Sequence, residues 1–330
     1  MDFLFASFLG TPAWFWLAFL GLVVSLTAFD LGILNKEDKE MGIAESLKLS
    51  AYYIIIALLF GVWVWFQKGA ESGVLYYTGF FIEKALSIDN VFVISLIFTY
   101  FAIPRRYQYR ALLWGIVAVI VLRGIMIALG AAMVEQFYWV LYFFAAFLIA
   151  TGIKMLFVGD QPMDVSKNPL VAFMNRHFRV TPELHGQKFI VKIKDDKTGK
   201  TVRAITPLLL ALIVINLADL VFAVDSVPAI FAITTDTFIV YTSNIMAILG
   251  LRALYFALAA MVHRFHYLKF ALALVLVFIG SKIFVSDFIF GGSKFPPLLS
   301  LFVTVALILG GIVYSLWKTR GGDHPGEVTR

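Results

Sequence analysis

The sequence predicts an all-α polytopic membrane protein, with about nine transmembrane helices and an inverted 3+3 helix repeat among them. Three observations lead there. The chain of 330 residues is 61% hydrophobic and only 15% charged, with a mean hydropathy of +0.89, far too apolar for a soluble domain. Its basic residues gather in alternate connections between apolar runs. Several of its polar motifs occur twice, in the same order.

The apolar runs fall at roughly 13–34, 49–66, 74–101, 111–133, 138–158, 206–234, 238–261, 269–289 and 297–317. The first is read as a retained span, because Met1–Ala13 has no Lys or Arg and no cleavage site is evident. Lys36, Lys39 and Lys48 follow it. Arg105, Arg106 and Arg110, the basic run from Lys167 to Arg203, Arg264 with Lys269, and Lys318, Arg320 and Arg330 come next at alternate connections. The other connections offer only Lys68 and Lys294. This alternation predicts an N-terminus outside and a C-terminus in the cytoplasm, as expected of a bacterial inner (plasma) membrane protein. The formal charge of +6 is thus a topology signal, and no nucleic-acid partner is expected.

The expected division is 1–73 (two helices), 74–158 (first repeat), 159–205 (a basic cytoplasmic loop), 206–289 (second repeat) and 290–330 (a final helix and tail). Within the loop, Lys188–Lys194 alternates, Asp195–Gly199 is turn-like and Lys200–Ile205 resumes the alternation, which predicts a β-hairpin. A solvated connector explains this loop well. A regulatory or lipid-facing role is the alternative.

Two acidic motifs match. Glu83-Lys-Ala-Leu-Ser87-Ile-Asp89-Asn90-Val and Asp219-Leu-Val-Phe-Ala-Val-Asp225-Ser226-Val each place two carboxylates six residues apart, followed by an amide or hydroxyl. Arg123-Gly-Ile-Met-Ile-Ala-Leu resembles Arg252-Ala-Leu-Tyr-Phe-Ala-Leu, and Gly152-Ile-Lys154 resembles Gly280-Ser-Lys282. From Arg to Lys the spacing is 31 residues in one copy and 30 in the other. Each copy spans three helices, so the copies must insert in opposite orientations, as in secondary transporters.

A carboxylate at bilayer depth costs a few kcal/mol or more, so paired carboxylates there point to a bound cation. At about 100° per residue Glu83, Ser87 and Asn90 share a helix face, with Asp89 about 120° away; Asp219, Ser226 and Asp225 repeat the pattern. Both carboxylates of a motif can meet at one point only where the helix unwinds; otherwise each motif reaches two directions. Pro228 predicts a break in the second copy.

The motif donors are all hard oxygens. The five His fall in predicted cytoplasmic segments and there is no Cys, which favours Mg, Ca or Mn over Zn or Cu. Lys84, Arg123 and Arg252 are candidate counter-charges, and protons (H+) could balance the rest. Asp30, Ser87, Asn216 and Asn244 are possible pathway residues. The competing reading of the quartet is a buried ion-pair network.

At these motifs the chain resembles the TerC/Alx family of integral membrane proteins. Phe29-Asp30-Leu-Gly and Thr242-Ser-Asn244-Ile-Met-Ala-Ile-Leu-Gly-Leu-Arg252 add to the likeness, which covers about residues 14–318. The resemblance implies manganese export, with Mn2+ as the transported ion and Glu83, Asp89, Asn90, Asp219, Asp225 and Ser226 as metal ligands. Ca2+ or Fe2+ would suit the same oxygens. A membrane scaffold or tellurite-type stress protein, or an exporter of another solute, is the alternative. Enzymatic activity is not expected: an intramembrane aspartyl protease needs one shared-proton dyad, not a duplicated quartet, and Gly-x-Gly-Asp is absent. Oligomeric state is left open.

Overall fold

A computed structural model describes residues 2–33, 42–157, 169–194, 201–259, 267–288 and 295–320. The side chains of Asp89 and Arg252, the turn at 195–199 and the basic residues Lys36, Lys39, Arg264, Lys294 and Arg330 lie outside the described set.

The chain is an all-α membrane protein. A short helix α1 (Asp2–Phe5) and a small hairpin, β1 (Ser7–Phe8) with β2 (Thr11–Pro12), lead into α2 (Ala13–Ile33). Then follow α3 (Ile43–Lys68), α4 (Ala70–Tyr100), α5 (Arg105–Gln136), α6 (Val140–Phe157) and the short α7 (Pro169–His177). Strands β3 (Ile190–Lys194) and β4 (Thr201–Ile205) form the expected antiparallel hairpin, with Ile190 opposite Ile205. The chain continues as α8 (Pro207–Phe231), α9 (Thr237–Leu249), α10 (Leu251–Leu258), α11 (Leu268–Phe288) and α12 (Pro297–Arg320). Outward-facing side chains such as Phe66, Phe157, Phe288 and Trp317 are 70–83% exposed, as a lipid-facing surface requires.

Seven of the described helices are long and apolar enough to cross a membrane: α2, α3, α5, α6, α8, α11 and α12. Two expected spans fall short for physical reasons. Helix α4 has the length, at 31 residues, but carries Glu71, Glu83, Lys84 and Asp89. The expected span 238–261 is divided at Gly250, leaving α9 with 13 residues and α10 with eight.

The break therefore lies at Gly250. Helix α8 runs unbroken past Pro228 to Phe231, so the predicted interruption at that proline is not formed. The missing N–H and the ring act on the preceding turn, at the Val224 carbonyl, and that turn stays helical.

Helices from the two copies pack on one another. Helix α4 runs along α9, α5 along α8, and α6 along α11. The last pair is closest at two glycines. A Cβ on Gly152 would lie 2.7 Å from the Ala273 carbonyl and from Val277, and one on Gly280 would lie 2.6 Å from the Ala145 carbonyl and 2.8 Å from Ile149. Each glycine thus faces the residues seven and three positions before the other, so the helices are antiparallel and the contact is reciprocal. Elsewhere Gly69, at φ 91°, makes the one-residue turn from α3 to α4 that a side chain would strain.

The packing is apolar at both ends of the bundle. Val91, Ile94, Phe98, Leu112, Ile215 and Tyr255 form one cluster, and the aromatic set Phe15, Phe19, Phe60, Tyr76, Phe80 and Phe238 forms another. Along α4, buried Glu83, Ser87 and Asn90 lie between these two clusters.

Candidate functional site

Four helices deliver polar side chains to one buried point: Glu83 from α4, Arg123 from α5, Asp219 and Ser226 from α8, and Asn244 from α9. Their exposures are 2%, 1%, 8%, 3% and 0% respectively, so the centre is sealed. Glycine sets the approach. A Cβ on Gly79 would meet Ser243 Oγ at 2.8 Å, so its absence lets α4 lie close to α9 one turn from the Glu83–Asn244 contact.

Arg123 is at the middle. Its Nη2 donates to Asp219 Oδ1 at 3.2 Å and its Nε to Asp219 Oδ2 at 3.2 Å, a side-on fork. Its Nη1 lies 2.5 Å from Glu83 Oε1, 2.9 Å from Ser226 Oγ and 3.2 Å from Asn244 Oδ1. Asn244 Nδ2 in turn donates to Glu83 Oε2 at 2.8 Å. With both carboxylates ionised, this triad has a formal charge of −1. Burying three ions costs several kcal/mol each, and only complete hydrogen bonding offsets it.

The oxygens outnumber the protons at Nη1. A terminal guanidinium nitrogen has two N–H bonds in the guanidinium plane, yet three oxygens from three helices surround it. A metal cation accepts oxygens without that limit. Carboxylate, amide and hydroxyl together are the donors of hard divalent ions.

The expected ligand set does not converge as a whole. Helix α8 is regular here, so the second motif reaches in two directions, Asp219 to Arg123 and Asp225 away from it. Asp225 turns away from Arg123 and accepts from Thr151 Oγ1 of α6 at 3.4 Å, within electrostatic range of Lys154. Asn90 is buried beside Asp219, where both line a cavity of about 30 Å³ with Leu112, Gly115, Val119 and Phe222. Among the described residues no group of three or more His, Cys, Asp or Glu is placed to hold a metal. The centre has two carboxylates, an amide and a hydroxyl instead.

The secondary candidates separate in the same way. Lys84, expected as a counter-charge to the carboxylates, donates instead to the Ala247 carbonyl at 3.1 Å. That carbonyl belongs to the last turn of α9, so the ammonium caps a helix end. Ser87 Oγ is spent on its own helix, donating to the Glu83 carbonyl at 2.7 Å. Asn216 Nδ2 donates to Leu212 O at 2.9 Å, and its Oδ1 is buried with no hydrogen-bond partner among the described residues. Asp30 is buried at the end of α2, where Tyr109 Oη donates to its backbone carbonyl at 3.4 Å.

Thr151 and Asp236 were not singled out by sequence. A Thr within an apolar helix has many uses, and its partner is visible only once α6 packs on α8. Asp236 is the N-cap of α9, accepting from Phe238 N and Ile239 N, and also pairs with Lys68 at 2.7 Å. The run Thr-Thr-Asp-Thr ahead of an apolar helix was the available signal for that cap.

Comparison with known proteins agrees with this architecture. The model of the integral membrane protein TerC family matches residues 68–322, which takes in every side chain of the Arg123 centre. The chain belongs to the TerC family. An uncharacterized membrane protein of Rickettsia felis is 46% identical to this TerC protein over 309 residues, covering 94% of this chain and 99% of that protein. A Myxococcus xanthus membrane protein, STKORF319, is 42% identical and covers 94% of each chain. The Escherichia coli protein named for membrane-bound redox modulation, Alx, is 39% identical over 328 residues, covering 95% of this chain and 99% of its own. No solved structure matches the chain.

Proposed function

We propose that this TerC family protein moves a divalent cation across the membrane, with Mn2+ as the substrate and export from the cytoplasm as the direction. One observation supports this most strongly. Glu83 and Asp219, equivalent positions of the two motifs, converge with Ser226 and Asn244 around a single buried cationic group. A bilayer-depth carboxylate pair of this kind is expensive to keep unless a cation uses it.

In this reading the nine helical segments (α2 to α6, α8, α9 with α10, α11 and α12) are the spans. The N-terminus lies outside and the C-terminus inside a bacterial inner membrane. Residues 74–158 and 206–289 are inverted repeats that rock about the centre. The exchange of partners between copies, α4 on α9 and α5 on α8, and the reciprocal glycines of α6 and α11 support a two-fold relation. Hard-oxygen donors suit Mn2+ but also Ca2+ and Fe2+, so Mn2+ rests on the motif resemblance together with this donor set. The surplus negative charge of the triad leaves room for H+ as a counter-transported ion.

A redox role is the second reading, suggested by the name of the Escherichia coli relative. Thiol–disulfide chemistry by this chain's own side chains would require cysteine, and the sequence has none.

Mn2+ flux into proteoliposomes, with Ca2+ and Fe2+ in parallel, tests the proposal. Wild-type flux that is lost in Asp219→Asn and in Glu83→Gln is expected. Background flux from folded wild-type protein for every metal would overturn it.

A further inference from the structure

The divalent-ion reading leaves Arg123 unexplained, because a guanidinium already occupies the place where the oxygens converge. We propose that Arg123 is a tethered stand-in for the transported ion: Nη1 fills the cation position in the unloaded protein and withdraws into the neighbouring cavity when a divalent ion binds. This rests on the proposed transport function and adds its loading step.

Two geometric facts support it. First, the oxygen shell fits Nη1 poorly and a metal well. Glu83 Oε1, Ser226 Oγ and Asn244 Oδ1 all lie within 3.2 Å of one nitrogen that has only two protons to give. The competing carboxylate oxygen, Glu83 Oε2, is meanwhile held by Asn244 Nδ2 at 2.8 Å, so the shell keeps its form without the guanidinium's help.

Second, there is a place for the displaced group. The 30 Å³ cavity, room for one or two waters, is lined by Val119 and Gly115 on α5 and by Asp219 on α8. Val119 is one turn and Gly115 two turns N-terminal to Arg123, on the same face of α5. Helical side chains lean towards the N-terminus, so this is the direction in which Arg123 can extend. Because Asp219 borders both the centre and the cavity, its carboxylate can swing together with the rigid guanidinium, so that Arg123 releases Glu83, Ser226 and Asn244 without losing the fork. The charge never becomes buried and unpaired, which would cost far more than the exchange.

The cavity also has a lever. Among the described residues, a Cβ at Gly115 would meet only Leu212 Cδ1, at 3.7 Å, an ordinary contact. A larger side chain there should therefore occupy the cavity without disturbing the Arg123 centre.

The test is Mn2+ binding to purified full-length protein in nanodiscs, by equilibrium dialysis, for wild type, Arg123→Gln, Gly115→Leu and the double variant. Removing the competitor should tighten binding in Arg123→Gln by about tenfold or more. Blocking the cavity should weaken it by a similar factor in Gly115→Leu, and the double variant should bind as tightly as Arg123→Gln. Thermal melting identifies any variant that has lost its fold. If Arg123→Gln does not fold, Arg123→Lys replaces it, since a lysine cannot make the fork and should yield more easily to the metal. Equal or weaker binding in the folded Arg123 variant, or weak binding that persists in the double variant, overturns the stand-in and leaves the transport reading intact. No binding by wild type or any folded variant overturns both.

Discussion

Asp219 holds Arg123 through two nitrogens at once, Oδ1 to Nη2 and Oδ2 to Nε, both at 3.2 Å, in a site where neither side chain is more than 10% exposed. Arg123 thereby joins α5 to α8, while its Nη1 reaches on to α4 and α9. A single residue between the two motifs ties four helices together.

Asp219→Asn should destabilise the protein by about 3–5 kcal/mol, because it leaves a buried guanidinium short of its fork partner. Asp225→Asn should cost less than about 1 kcal/mol, since Asp225 is only half-buried and has one long hydrogen bond, 3.4 Å, to Thr151. Thermal melts of the two variants in one detergent decide it. Equal losses would mean that Asp225 has a place in the centre after all.

Gly152→Val drives a side chain into the Ala273 carbonyl and Val277, and Gly280→Val into Ala145 and Ile149. Each should cost about 1–3 kcal/mol or more by overpacking, whereas Gly310→Ala, which meets none of the described residues within 4 Å, should be close to neutral. Denaturant midpoints of the three variants would show the contrast. Similar losses at Gly152 and Gly280 would reflect the reciprocal contact.

Lys84→Met removes the donor to the Ala247 carbonyl at the Gly250 break. A loss of about 1–2 kcal/mol is expected, from an uncapped helix end and a lost charge-assisted hydrogen bond. Mn2+ binding should be retained, because Lys84 is not among the groups around Nη1. Binding lost together with a normal melting temperature would return Lys84 to the charge balance of the site.

At the other side of the bundle, Asp236 caps α9 and pairs with Lys68, whose Nζ also donates to Thr11 Oγ1 at 2.9 Å. Lys68 pairs with Asp236 at 2.7 Å with 17% and 30% side-chain exposure, so Lys68→Ala should cost less than about 1 kcal/mol. Asp236→Ala also removes the N-cap of α9 and should cost about 0.5–2 kcal/mol beyond that. Melting temperatures ordered with Lys68→Ala above Asp236→Ala support this, and the reverse order contradicts it.

Much was legible in the linear sequence because it depends on local period and solvent preference. Apolar run length determined where the helices lie, alternation marked the β3–β4 hairpin, and duplication of Glu83–Asn90 as Asp219–Ser226 picked out the helices that meet. Helix periodicity also offered the alternative that each motif faces two ways, and that is how Asp225 parts from Ser226. Three matters only the tertiary structure decided. The break fell at Gly250 rather than Pro228: the turn before Pro228 stays helical despite its missing N–H, while Lys84 from α4 is in reach to cap α9 at Ala247. Asn244 became a direct partner of Glu83 because Gly79 lets the two helices close together. Arg123, one of several possible counter-charges in sequence, became the centre. Which buried cation a carboxylate finds is set by how helices far apart in the chain pack, since a charge removed from water takes whichever partner the packing brings within hydrogen-bond reach.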